Sequence, residues 1–68
     1  MALANNIAQH RKRRGWSQEE LAHRLSVSRQ SVSKWESGQS TPDLNRVVEL
    51  SQLFNTTTDE LLGNVTSS

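Results

Sequence analysis

An all-α fold of five short helices in one small domain is what this 68-residue sequence predicts. Three observations lead there. Apolar residues recur three and four apart in one segment after another, the spacing of a buried helix face, and nowhere alternate as in a strand. Serine, threonine or aspartate stands just ahead of most of these segments, where its side chain can accept from an unpaired backbone N–H. All three glycines fall at the ends of the predicted helices, where a left-handed C-cap belongs. A domain this small buries only about 60% of its unfolded surface, so a net stability on the order of 3–10 kcal/mol is expected.

The first helix is expected from Leu3 to Arg14, with Leu3, Ile7 and then His10 or Arg11 at helical spacing and Gly15 as its C-cap. Lys12, Arg13 and Arg14 fall in its last turn, where the negative end of the helix dipole favours cations. Trp16 is placed as the apolar residue of a hydrophobic staple and is expected in the core. Ser17 with Glu20 has capping-box spacing and opens a second helix. Leu21, Ala22 and Leu25 line one face of that helix, while Glu19, His23 and Arg24 look outward. Ser26, Val27 and Ser28 interrupt the period.

Ser28 caps a third helix running from Arg29 to Ser37, with Val32 and Trp35 inward, Glu36 at the edge of that face and Gly38 as C-cap. Arg29, Gln30, Ser33, Lys34 and Ser37 gather on the opposite side, a polar face rich in hydrogen-bond donors. Two helices, a three-residue turn and a donor-rich second helix make a helix-turn-helix pattern. After the polar loop QSTPD, Asp43 caps a fourth helix whose expected inner face is Leu44, Val47, Leu50, Ser51 and Phe54. Val48 and Leu53 are expected on an exposed face, and Asn55 in a left-handed conformation at the helix end. Thr57 with Glu60 repeats the capping-box spacing and starts a last helix carrying Leu61 and Leu62 and ending at Gly63. The domain is expected to be ordered over about residues 3–63, with 64–68 a frayed tail.

Taken together, HRKRRGWSQEELAHRLSVSRQSVSKWESGQSTPDL and the later LSQLFNTTTDELL resemble the phage-repressor and Cro helix-turn-helix family, also called the xenobiotic-response-element type. The resemblance runs from Leu3 to Gly63 and implies a compact five-helix, lambda-repressor-like DNA-binding domain. It also implies an ion pair between Arg11 and Glu36, in which a guanidinium held by a carboxylate keeps spare N–H groups for a phosphate. Some positions depart from the family pattern. Ser26 stands where the turn usually has glycine, so its Cβ would enter a left-handed conformation at about 1 kcal/mol. His10 replaces an apolar residue, as do Thr56 and Thr58.

The net charge of +1 conceals a division. Residues 1–34 hold seven cations against two anions, and residues 35–68 hold one cation against five anions. One half can face a polyanion while the other stays out of its field. The expected partner is double-stranded DNA. Arg29 and Gln30 are the residue types that read guanine and adenine edges in the major groove, and Lys34 lies one turn further on. These three are the expected base contacts. Ser28, Ser33, Ser37 and Ser17, with Gln18 and Arg11, are the expected contacts to the DNA backbone. One helix covers few base pairs, so a homodimer on a pseudo-palindromic operator is expected, acting as a repressor. Its contact surface is placed around Leu53, Asn55, Thr56, Thr58, Leu61 and Leu62.

Other classes have less to stand on. The chain has no cysteine, and His10 and His23 fall on separate predicted helices, so no catalytic or metal site is expected. No cofactor, small-molecule ligand or membrane contact is implied, and a cytoplasmic location follows. A protein-binding module on the same fold, such as an antitoxin, is the alternative; its binding would survive neutralisation of Arg29, Gln30 and Lys34.

Overall fold

Side-chain caps decide where these helices begin. Ser17, Ser28, Asp43 and Thr57 stand in extended backbone, and their side chains accept hydrogen bonds from the N–H groups of Glu20, Ser31, Arg46 and Glu60 respectively. In the computed structural model, which describes residues 2–63, five helices result: α1 (Ala2–Arg13), α2 (Gln18–Leu25), α3 (Arg29–Ser37), α4 (Leu44–Leu53) and α5 (Thr58–Leu62). Among the described residues there is no strand. The expected frayed tail, 64–68, lies outside them.

The two expected capping boxes differ. At α5 the box is complete, and Glu60 Oε1 also accepts from Thr56 Oγ1 at 2.7 Å. At α2 only the serine half forms, because the Glu20 carboxylate turns forward to Arg24 at 3.0 Å. An arginine four residues on offers a charged donor, which competes well with a neutral backbone N–H. Helix ends follow the left-handed pattern. Ser26 takes φ 59° and ψ 41°, and Val27 N–H reaches back to Ala22 O at 3.0 Å. Asn55 takes φ 56°, one residue beyond the cap at Phe54. There the Asn55 N–H donates to Gln52 O at 3.2 Å and the Thr56 N–H to Ser51 O at 2.8 Å, the paired bonds of a Schellman ending.

Every helix contributes to one core. Leu3 and Ile7 come from α1, Leu21, Ala22 and Leu25 from α2, and Val32 and Trp35 from α3; Val47, Leu50 and Phe54 come from α4 and its cap, and Leu61 from α5. Three expectations need correction here. Leu44 is not in the core; it is 75% exposed. At about 100° per residue it lies only roughly 20° from the buried Ser51, so its angle alone would put it near the core; it is the first residue of α4, at an end of the helix that the core does not reach. Leu53, expected on an exposed face, is half-buried and packs against the core, as does Leu62. Trp16 is only half-buried, its ring stacked on Phe54 at 6.1 Å with the Arg24 guanidinium 4.2 Å above it.

His10 extends this stack from the other side, its ring 5.0 Å from Phe54 and 17° from parallel. A flat ring thus fills the place of the apolar residue that the resemblance implies. Burial lowers its pKa below the ordinary value of 6.5, and the Arg13 and Arg14 charges lower it further against the pull of Glu60. The folded state therefore prefers neutral His10, while the unfolded chain takes up a proton at the ordinary value. That contribution to stability is present above pH 6.5 and is lost as the pH falls through it towards the folded value. Urea midpoints measured between about pH 8 and about pH 5 should fall most steeply just below the ordinary histidine value, and His10→Leu should flatten that portion of the curve. Ser26→Gly should raise stability by up to about 1 kcal/mol, read as a higher melting temperature, since glycine enters the left-handed region without a Cβ.

Candidate nucleic-acid interface

The turn at residues 26–28 sets α3 across α2, with Val32 and Trp35 sealed into the core. The opposite face of α3 is left to solvent. Arg29, Gln30, Lys34 and Ser37 are exposed there and Ser33 is half-buried. Among the described residues, no carboxylate lies within ion-pair reach of Arg29 or Lys34. Long side chains of this kind stay free to meet an outside partner.

The serines divide between internal and external duty. Ser17 Oγ and Ser28 Oγ accept from the backbone N–H three residues ahead, at 3.0 and 3.1 Å. Ser28 Oγ also lies 3.0 Å from Ser31 Oγ, sharing one hydroxyl hydrogen with it. A capping hydroxyl accepts through its lone pairs, so its hydrogen is left to donate, and an anionic oxygen beside a helix start would receive it. Ser37 instead donates to Lys34 O at 3.2 Å and retains only acceptor capacity. As it stands, that hydroxyl points away from service to a phosphate.

Behind the exposed face, Arg11 and Glu36 meet as a two-point pair. Arg11 Nε donates to Glu36 Oε2 at 2.7 Å and Nη2 to Oε1 at 3.0 Å. Arg11 Nη1 donates to Trp16 O at 2.9 Å. The Gln18 amide adds a third donor to the carboxylate, Nε2 to Oε1 at 3.1 Å. Side chains of the ion pair are 12% and 8% exposed, so little of the guanidinium remains for a phosphate. Gln18, expected as a backbone contact, is thereby held at the first position of α2 with its carbonyl oxygen and one N–H unclaimed by Glu36. Nothing in the sequence signals the Gln18 to Glu36 bond, which joins residues 18 apart on different helices.

Charge is distributed unevenly. Arg11, Arg24 and Arg46 each have a carboxylate partner, Glu36, Glu20 and Glu49. Among the described residues Lys12, Arg13, Arg14, Arg29 and Lys34 have none, and all of them lie in the first half of the chain. A shallow groove between the end of α2 and α4 is lined by Arg24, Leu25, Ser26, Arg46, Glu49, Gln52 and Leu53 and includes no residue of α3. Among the described residues no three histidine, cysteine, aspartate or glutamate side chains gather as a metal site would require. Likewise no helix there is long and apolar enough to cross a membrane.

On the surface placed around the last helix, one expected member drops out. Leu61 is wholly buried in the core, held there as α5 docks on α1, where Asn6 Nδ2 donates to Leu61 O at 2.9 Å. Thr56 is half-buried and bound to Glu60, and Thr58 is half-buried, while Asn55 is exposed.

Comparison with known proteins identifies the family and the fold. A family profile described as "Helix-turn-helix" matches residues 7–61. The chain is 40% identical over 62 residues, 91% of its length, to the HTH-type transcriptional activator BcrR of Enterococcus faecalis, covering 30% of that protein. It is 33% identical over 63 residues, 93% of its length, to the HTH-type transcriptional regulator ImmR of Bacillus subtilis, covering 50% of it. The chain thus spans half or less of these two curated relatives. Among solved structures, a transcriptional regulator from Listeria innocua superposes with a TM-score of 0.88 at 29% identity, over 97% of this chain and 62% of that one. The P22 c2 repressor, solved in complex with a synthetic operator, superposes at 0.83 with 24% identity over 90% and 92% of the two chains, a likeness of fold.

Removing Glu36 would strand the Arg11 charge in a nearly buried position. Glu36→Ala should cost about 3–5 kcal/mol and lower the melting temperature well beyond any surface substitution, as thermal unfolding followed by circular dichroism would record.

Proposed function

This chain belongs to the helix-turn-helix family, and from that premise we propose that it is a sequence-specific regulator of transcription that inserts α3 into the major groove of double-stranded DNA. One observation carries the reading: Arg29, Gln30 and Lys34 stand together on an exposed face whose reverse side is locked into the core. An arginine fork matches O6 and N7 of guanine, and a carboxamide matches N6 and N7 of adenine. Arg29 and Gln30 occupy the first turn of α3, the end that reaches base edges in this motif. Lys34, one turn on, takes a further base or a phosphate.

Phosphate contacts set the register. The free hydroxyl hydrogen of Ser17, the one hydrogen that the Ser28 and Ser31 hydroxyls leave over between them, the remaining N–H of Gln18, and the backbone N–H groups opening α2 and α3 supply donors for them. Ser33 joins them, and Ser37 does so once its hydroxyl leaves Lys34 O. Arg11 contributes mainly by holding Glu36 and Gln18, with its last N–H groups at the edge of the surface.

Because one helix specifies only a few base pairs, the working unit is a homodimer on a pseudo-palindrome, with half-sites spaced by about one helical turn of 34–36 Å. A domain measuring 36 × 23 × 20 Å can sit beside its copy within that spacing. Occupancy of an operator that overlaps a promoter represses, and repression is the sign we assign. A DNA ligand also puts its work in the cytoplasm.

Selection from random duplexes should return a consensus of two inverted half-sites. At that site Arg29→Ala should cost about 1–3 kcal/mol and relax the preference at one base position, with a far smaller loss on random DNA. Equal losses on selected and random duplexes would make Arg29 a phosphate contact and overturn its role as a reader. Binding that ignores salt and survives neutralisation of Arg29, Gln30 and Lys34 would instead favour a protein partner.

A further inference from the structure

Leu44 and Val48, 75% and 37% exposed, are the large apolar side chains left in solvent among the described residues. They are four apart on α4 and so form one stripe along the helix. Asn45 and Gln52 lie beside that stripe on α4, and Asn55 continues it past the cap; all three are exposed. None of these five residues is charged, on a chain in which 22% of residues are. The charged side chains of the helix, Arg46 and Glu49, pair with each other at 2.6 Å and line the groove against α2, which Gln52 borders from the edge of this face.

We propose that a second copy of this chain seats on this face, with Leu44 and Val48 meeting their own counterparts across a two-fold axis. The proposal rests on the reading above that the protein works as a dimer on DNA, and it places the contact on α4 rather than around α5. Three considerations select a second copy as the occupant. In a two-fold contact each residue near the axis faces itself, so a charge there would meet its like, whereas a carboxamide both donates and accepts and can pair with its own copy. An apolar centre rimmed by Asn45, Gln52 and Asn55 satisfies that condition. A nucleic acid or an acidic peptide would require cations that this face lacks.

Position is the second consideration. Leu44 follows α3 after a loop of only six residues, Gly38 to Asp43, so a copy seated there is placed close to the end of the recognition helix and couples the two DNA-reading faces. Size is the third. Two apolar side chains per copy make a patch far below the 2,000 Å² or more, roughly, that permanent dimers bury. Such a contact leaves the free protein monomeric and closes when a shared duplex holds two copies together at high effective concentration. The surface around the last helix suits the task less, since Leu61 is buried and Leu53 and Leu62 pack on the core.

The test uses opposite charges at one position. Wild type, Leu44→Glu and Leu44→Lys are each titrated onto a duplex with the full selected site and onto a single half-site, and stoichiometry is read by sedimentation; circular dichroism verifies that the exposed substitutions leave the fold intact. Each variant alone should bind the full site at least tenfold more weakly relative to its own half-site affinity than wild type does. An equal mixture of the two should restore cooperative occupancy with two chains per duplex, because opposite charges then face each other at position 44. Unchanged cooperativity in either variant, or loss in both with no rescue by mixing, overturns the α4 contact while leaving DNA reading intact. Wild type occupying the full site as one chain per duplex at every concentration overturns the dimer itself, and no binding to any selected duplex overturns the regulator reading on which both depend.

Discussion

The Glu36 carboxylate is the joint at which the first three helices are set relative to one another. It receives two N–H groups from Arg11 in α1 and one from Gln18 in α2, while its own backbone belongs to α3. The same guanidinium reaches Trp16 O, in the segment that leads α1 into α2. A pair this sheltered gives back in hydrogen bonds much of what it loses in hydration, so its net stabilisation over an apolar contact is small. Its value is directional. A planar fork bound at two points fixes orientation as well as distance, and the orientation it fixes is that of the helix bearing Arg29, Gln30 and Lys34.

Holding the assembly together falls to the core, and α4 and α5 serve chiefly as its backing. Phe54 takes His10 on one side and Trp16 on the other, and the Arg24 guanidinium closes the stack over Trp16. This column crosses three helices and the linker with few rotatable bonds, which suits a domain too small to rely on mass of apolar surface. It also carries a penalty. Burial of His10 in the stack makes its protonation unfavourable, and Arg13 and Arg14 close by add to that, so the column and the cations at the end of α1 are maintained at the expense of stability in acid.

Much of the fold was legible in the sequence because helix boundaries obey local rules. A serine that caps, an asparagine or serine that turns left-handed, and a face defined by Val32 and Trp35 all depend on residues within one or two turns of each other. The outward grouping of Arg29, Gln30 and Lys34 follows from the same arithmetic. What escaped depends on choices between partners or on neighbours distant in the chain. Glu20 had two local options, the Ser17 backbone and Arg24, and spacing alone does not rank them. Leu44 fits the apolar period of α4 as well as Val47 does, yet whether anything lies above it is decided by the packing of other helices. Leu61 and Leu62 adjoin in sequence, and only the docking of α5 on α1 makes one of them core and leaves the other half-buried.

The pattern of ion pairs bears on how such a small chain could discriminate among surfaces. Exposed pairs such as Glu20 with Arg24 and Arg46 with Glu49 contribute only about 0–1 kcal/mol, too little to explain their presence by stability. Their stronger effect is subtraction. Each cancels a cation at short range, and with screening over about 8 Å at physiological salt a cancelled charge is nearly invisible to a distant phosphate. Among the described residues the side-chain cations left unpaired belong to the end of α1, the turn after it and α3, whereas Arg24 and Arg46 beside the groove between α2 and α4 are paired. On the DNA-binding reading proposed above, the pairing of Arg24 and Arg46 keeps a polyanion from settling beside the groove between α2 and α4 and leaves α3 the freer to meet it.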